Sequence, residues 1–180
     1  MKATGIVRRI DDLGRVVNPK EIRRTQRIRP SDPLEIFTTS DGEVIFKKYS
    51  PVGELSDFAA RYAEVLSRSL GLPVLVCDRD HTVAAAGPSR REFQERRVSR
   101  GLEQIMDSRR TYVWNGSEAD RLWPCEGASR LLALACPIVA AGDVAGAVCV
   151  LGALPALPVT SDGVKAAELT AALLARQLEE

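Results

Sequence analysis

The arginines of the first thirty residues are the side chains of this sequence best placed to do chemistry. Lys20, Arg23, Arg24 and Arg27 recur at i, i+3, i+4 and i+7, a spacing that puts all four on one face of a helix. Arg8, Arg9 and Arg15 precede them in a stretch that alternates apolar and polar residues. Four cations on one short face repel one another, so the pattern costs stability unless an anion neutralises it. A guanidinium suits that partner: its planar fork grips a phosphate, or the O6 and N7 of guanine, through two hydrogen bonds. The chemistry implied is recognition of a polyanion.

Charge is distributed to match. Residues 1–53 carry eleven Lys or Arg against seven Asp or Glu, and the rest carry fourteen against seventeen, so a chain of net +1 divides into a head of +4 and a body of −3. Such a split predicts that the head meets a polyanion while the body does something else. Other arginines read as a solvated surface. Arg90, Arg91, Arg96, Arg97 and Arg100 lie in a stretch where Glu92 and Arg96 make a supporting i, i+4 pair.

Catalytic chemistry finds little here. The chain has one histidine, His81, beside Asp80 in a turn-like stretch, and no nucleophile–base pair or phosphate-cradling glycine loop. Cys77, Cys125, Cys136 and Cys149 form no close pair, so no zinc site is expected, and three of them sit in apolar runs where a buried thiol is usual. No cofactor and no metal are expected. No window approaches the ~18 uninterrupted apolar residues of a membrane span, and the early charges of MKATGIVRRI do not suit a signal peptide. The expectation is a cytoplasmic protein without a membrane partner.

The elements that must position the arginines follow from local patterns. Gly5 to Ile10 alternates as a strand, with Ile6, Arg8 and Ile10 on one side and Val7 and Arg9 on the other. Asp11-Asp12-Leu13-Gly14 reads as a turn, and Arg15-Val16-Val17 resumes the strand. Pro19 presets the first turn of a helix over about residues 20–27. Residues 34–38 and 43–48 then make a hairpin around Ser40-Asp41-Gly42. A head this small cannot bury enough surface to stand alone, so association is expected.

In the body, a helix is expected over about residues 54–69, with Leu55, Phe58, Tyr62, Val65 and Leu66 as its apolar stripe. Strands follow at 73–77 and 82–86, a helix over 91–108, and strands at 131–139 and 144–151. A last helix starts near Ser161 as N-cap. Its Val164, Ala167, Ala171, Leu174 and Leu178 form a seam at 3-4-3-4 spacing, as in helix pairing. The pattern predicts an α+β module with its helices on one face of an antiparallel sheet. Trp114 and Trp123, on the irregular stretch between strands, are either the lid of a pocket or loop anchors packed on the sheet.

The head resembles the AbrB-type DNA-binding domain of bacterial transition-state regulators. The resemblance is carried by Thr4-Gly5-Ile6-Val7-Arg8-Arg9, Asp12-Leu13-Gly14-Arg15-Val16-Val17 and Pro19-Lys20-Glu21-Ile22-Arg23-Arg24-Thr25. It continues through Asp32, Leu34-Glu35-Ile36, Val44-Ile45 and Lys47-Lys48-Tyr49. It implies an obligate dimer in which two chains interleave their hairpins into one swapped β-barrel, with double-stranded DNA as partner. It also implies DNA-binding roles for Arg8, Arg9, Arg15, Arg23 and Arg24. The body resembles a GAF-type domain, with terminal helices flanking an antiparallel sheet, which implies further self-association, toward a tetramer, and an unidentified small-molecule ligand or none. Expected boundaries are residues 1–50 for the head, 51–55 for a linker and 56–180 for the body.

The two resemblances together imply a transcription regulator of endospore formers, activating and repressing forespore genes. Two rival readings stand beside it: an antitoxin, which would instead end in a flexible acidic tail, and a weakly specific nucleoid-type DNA coater. Three departures from the head pattern are visible. Asn18 and Gln26 replace aliphatic residues, and an unpaired buried amide would cost roughly 1–3 kcal/mol. Pro30-Ser31 stands where an acidic residue and glycine are usual.

Overall fold

The computed structural model describes residues 4–30, 32–88, 90–152 and 159–180. Ser31, one of the departures noted above, lies outside them. The chain divides into two compact units, Met1–Tyr49 and Ser50–Glu180.

In the first unit, helix α1 spans Lys20–Thr25 and the antiparallel hairpin is β1 (Leu34–Thr38) and β2 (Val44–Lys48), with Ile36 opposite Phe46. The helix starts after Pro19, whose carbonyl accepts the first helical bond from Arg23. It ends two residues sooner than the cation spacing predicts, because Arg27 takes the left-handed conformation at φ 51°. Asp32 fastens the loop between helix and hairpin: its Oδ2 accepts from the Arg29 backbone N–H at 2.8 Å and lies 3.5 Å from Lys48 Nζ, which donates to the Arg27 carbonyl.

The strands expected at 5–10 and 15–17 do not form a ladder within the chain. The turn between them is bonded, through Asp11 N to the Arg15 carbonyl at 3.0 Å and Gly14 N to the Asp11 carbonyl at 2.9 Å. The alternation is present in the sequence, but a strand needs a neighbour to become one. Val7 is 88% exposed and Val17 71%. Among the described residues of this unit, Pro19 alone is buried.

The second unit is built on a five-stranded antiparallel sheet, β3 (Val74–Asp78), β4 (Thr82–Ala86), β5 (Tyr112–Val113), β6 (Leu131–Ala140) and β7 (Asp143–Gly152), in the order β4-β3-β7-β6-β5. Its helices are α2 (Pro51–Glu54), α3 (Ser56–Leu70), α4 (Arg90–Phe93), α5 (Arg100–Ser108) and α6 (Ser161–Gln177). Period-two alternation splits each strand between two cores. Val74, Val76, Val148, Val150, Leu134 and Ile138 pack with α3 and α6; Leu75, Cys77, Cys149, Leu151 and Leu132 pack with Phe93, Leu102, Ile105 and Met106 of α4 and α5. Helices therefore cover both faces, not one, which explains why these strands are apolar at nearly every position. The sheet closes tightly at Gly146, where an added Cβ would stand 2.0 Å from the Cys77 carbonyl oxygen.

The helix expected over 91–108 is broken. Glu95 is left-handed at φ 58°, and the backbone beyond it pairs with the turn and loop around it: Thr82 N bonds the Arg96 carbonyl, Val98 N the Asp80 carbonyl and Ser99 N the Pro124 carbonyl, each at 2.8 Å. Ser99 then caps α5 through Leu102 N. In α6 the cap is Thr160, not Ser161, accepting from Gly163 N. The seam expected to pair helices turns inward: Ala167, Ala171 and Leu174 are buried against the protein's own sheet, leaving Leu169 and Leu173 outside. Among the described residues no helix is long and apolar enough to cross a membrane.

Candidate nucleic-acid interface

The five arginines singled out by sequence lie on three successive segments of the first unit, all placed by the turn at 11–14 and by α1. Arg8 and Arg9 are exposed on the segment that enters the turn. Arg15 closes it. The Asp11 carboxylate accepts from the backbone N–H groups of Leu13 and Arg15 and from Arg15 Nε, the last at 2.8 Å. Those bonds hold the Asp11 carboxyl below its ordinary range, the Arg15 backbone and then its side chain being the main causes. Arg15 is thus pre-oriented by a neighbouring anion while remaining largely exposed.

On α1, Lys20 and Arg24 are exposed and Arg23 is half-buried. Arg23 Nε is buried without a hydrogen-bond partner, a donor held out of water and still unsatisfied. Arg27 lies past the helix end, so three of the four expected cations share the helical face. At the far end of the unit, Lys47 Nζ lies 4.8 Å from the centre of the Phe37 ring, a cation–π contact that keeps the charge at the surface. The structure brings Arg15 to Asp11 and puts Arg23 beside Arg24; among the described residues Arg8 and Arg9 make no hydrogen bond or ion pair with either group. The sequence did not single out Asp11 as the residue that orients Arg15; an Asp four residues before an Arg in a turn was the available signal.

Of the two amide departures, Gln26 is exposed, so its amide is solvated and the expected cost does not arise. Asn18 differs: its Oδ1 is buried and unpartnered. Asn18→Leu is therefore expected to stabilise the first unit by about 1 kcal/mol, since an unsatisfied buried acceptor costs roughly 1–3 kcal/mol. Thermal melting of the full chain checks this, and an unchanged first transition would mean the amide is satisfied in solution.

The second unit offers little catalytic chemistry. His81 sits in the β3–β4 turn, its backbone N–H donating to Asp78 Oδ1 at 2.6 Å. Trp114 is buried, its indole N–H bonded to the Ser117 carbonyl, so it anchors its loop; Trp123 is 41% exposed. All four thiols are buried. Burial pushes Cys125 up to about 11 and Cys136 up to about 12, while a hydrogen bond to Cys77 and then burial raise Cys149. Thiol reagents at neutral pH are expected to leave the native chain unlabelled and to titrate all four cysteines after unfolding. Because Cys125, Cys136 and Cys149 titrate above the ordinary value of 9.0 in the folded chain, their contribution to stability is complete below about pH 9 and is lost as pH rises toward 11–12. The denaturant midpoint is expected to fall over that window.

Among the described residues there is no cluster of His, Cys, Asp or Glu able to hold a metal. Cavities among the described residues open on the second unit. One of about 250 Å³ lies against α6, where the Thr111 hydroxyl donates to Glu168 Oε1, and one of about 390 Å³ lies along β4.

Residues 54–179 match the model of a family described as stage V sporulation protein T C-terminal, transcription factor. The chain is 49% identical to stage V sporulation protein T of Bacillus subtilis (strain 168), over 100% of both chains. It is 52% identical over 63 residues to the transition state regulatory protein AbrB of the same organism, covering 32% of this chain and 65% of AbrB. The second GAF domain of DevS from Mycobacterium smegmatis is similar with a TM-score of 0.51 and 17% identity, over 68% of this chain and 92% of that one. That last likeness shows a GAF-like fold and nothing of function.

Proposed function

The chain belongs to the stage V sporulation protein T family of transcription factors, and from that premise we propose that it regulates sporulation genes as a homo-oligomer whose first unit binds double-stranded DNA. The observation that carries the reading is the first unit itself. It combines exposed arginines at 8, 9, 15 and 24 with half-buried Arg23 and a set of apolar side chains, among them Val7, Ile10, Val16, Val17, Ile36 and Phe46, that stay exposed in the single chain. A unit with so little buried surface does not fold alone. Interleaving with a second copy into a swapped barrel covers those side chains and presents each set of arginines twice, which suits a pseudo-symmetric duplex.

The GAF-like body serves assembly in this reading. Phe58 and Val65 on α3 and Leu169 and Leu173 on α6 remain exposed and support a further contact that joins dimers into a tetramer. A small-molecule ligand of the body stays a subsidiary proposal, since the face toward α4 and α5 is filled by side chains. The antitoxin alternative loses support, because the second unit carries two apolar cores rather than a flexible tail.

Fluorescence anisotropy of labelled duplex against salt tests the reading. If a dimer neutralises six phosphates, log K falls with log salt at a slope of roughly −5. Absence of binding at low salt overturns it. Equal affinity for unrelated duplexes favours the nucleoid-type coater instead.

A further inference from the structure

The sheet of the second unit has two open edges, and the chain treats them differently. β5 covers β6 only at Leu134 and Ala135, leaving the stretch from Cys136 onward uncovered by it. Hydrogen-bond parity shows which residues face out there. Leu132 N bonds the Leu122 carbonyl, away from β7, and across the irregularity between Leu132 and Leu134 the contact of Ala135 with Tyr112 continues that outward side. Pro137 is the next residue on it, and proline has no N–H to offer an incoming strand. That is the usual device for blunting an edge.

The other edge, β4, carries no such block. Leu151 N bonds the Pro73 carbonyl, so Pro73 and Leu75 face β7 while Val74 and Val76 face β4. Their partners Ala86 and Ala84 therefore turn their backbone groups inward, and Ala85 turns its N–H and C=O outward. Thr82 N, at the start of the strand, is occupied by the Arg96 carbonyl. The cavity of about 390 Å³ runs along this free stretch, lined by Val83 to Gly87 with Ala60, Arg61 and Glu64 of α3 and Arg90 and Gln94. Small side chains leave room for a further strand. Glu64 is neutralised by Arg68 at 2.6 Å, whereas among the described residues Arg61 and Arg90 have no ion-pair partner. The two arginines come from helices on opposite faces of the sheet: Ala84 and Ala86 pack in the core under α3, which carries Arg61, and Ala85 in the core with Phe93 of α4, which carries Arg90.

We infer that β4 is a docking edge for an extended acidic segment of a partner protein, added as a sixth antiparallel or parallel strand. Ala85 supplies the backbone bonds, and Arg61 and Arg90 receive two adjacent acidic side chains, because neighbouring residues of a strand point to opposite faces. This inference does not depend on the DNA-binding reading of the first unit.

The test is anisotropy of a labelled valine–threonine peptide with two adjacent glutamates at its centre, titrated with the full chain. Two variants go beside it. Ala85→Pro removes the outward N–H at an edge position that tolerates proline, and R61E/R90E reverses the charges at exposed positions. Saturable binding that weakens at least tenfold in each variant, and at least tenfold when the peptide glutamates become lysines, is the expected result. Circular dichroism confirms that both variants fold; should Ala85→Pro fail that check, loss of binding on N-methylation of the peptide backbone replaces it. No binding by the unaltered chain, binding that ignores either the charge reversal or the backbone block, or competition by duplex DNA rather than by unlabelled peptide overturns the assignment.

Discussion

Changing Arg23 and Arg24 together to alanine is expected to weaken duplex binding by a thousandfold or more and to flatten its salt dependence by about 3–4 units of slope. A dimer loses four guanidiniums in that variant. At roughly 1 kcal/mol for each, the low end for arginine contacts to DNA, the loss is about 4 kcal/mol, or about three decades of affinity. Each phosphate contact removed takes about 0.9 from the slope. Both side chains stand on α1, whose first turn is set by Pro19, so the backbone that presents them is not the casualty. Arg23 is half-buried with its Nε unpaired, and its removal relieves an unsatisfied donor rather than opening a core. A companion variant with lysine at both positions keeps the charge and loses the planar fork, and so separates phosphate attraction from bidentate reading. A folded double-alanine variant that kept wild-type affinity and slope would move the interface off α1.

Placing a carboxylate at Val7 or Val17 is the second large expected effect. On the single chain both side chains are exposed, and surface substitutions usually change stability by no more than about 0.5 kcal/mol. Within an interleaved barrel the same carboxylate would be taken from water unpaired, at a cost of several kcal/mol. Val7→Asp and Val17→Asp are therefore expected to abolish the melting transition of the first unit and its DNA binding, while the second unit, with its own two cores, keeps a cooperative transition. Wild-type melting and wild-type affinity in both variants would sink the swapped-barrel reading.

What was legible in the sequence followed from local signals that tertiary structure did not override. Alternation and the Ser40-Asp41-Gly42 turn located β1 and β2 to within a residue, and β4 spans the predicted residues 82–86. The body strands were readable as strands because they are short apolar runs between turn residues. The face that each residue serves was not readable, since strands buried on both sides lose their polar alternation. The break at Glu95 carried no glycine or proline to announce it; a left-handed non-glycine costs roughly 1–2 kcal/mol, and only the backbone bonds from Thr82, Val98 and Ser99 explain why the chain accepts it. The seam of α6 had the right spacing for a partner helix and found its own sheet instead. Spacing defines a stripe but does not say what it meets. The arginines of the candidate site were visible at once, while the carboxylate that orients Arg15 became visible only through its bonds.

A head in which Pro19 is the one buried residue among those described has a consequence for supply. If its fold exists only in the pair, the number of competent heads rises with the square of chain concentration while chains are scarce, and linearly once they are abundant. Its midpoint then shifts with dilution, as for any obligate dimer, whereas the body, where Leu75, Leu132 and Leu134 are fully buried within one chain, has a core that does not require a partner. A modest increase in synthesis would thus be converted into a steeper increase in occupied DNA sites, a threshold set by mass action alone.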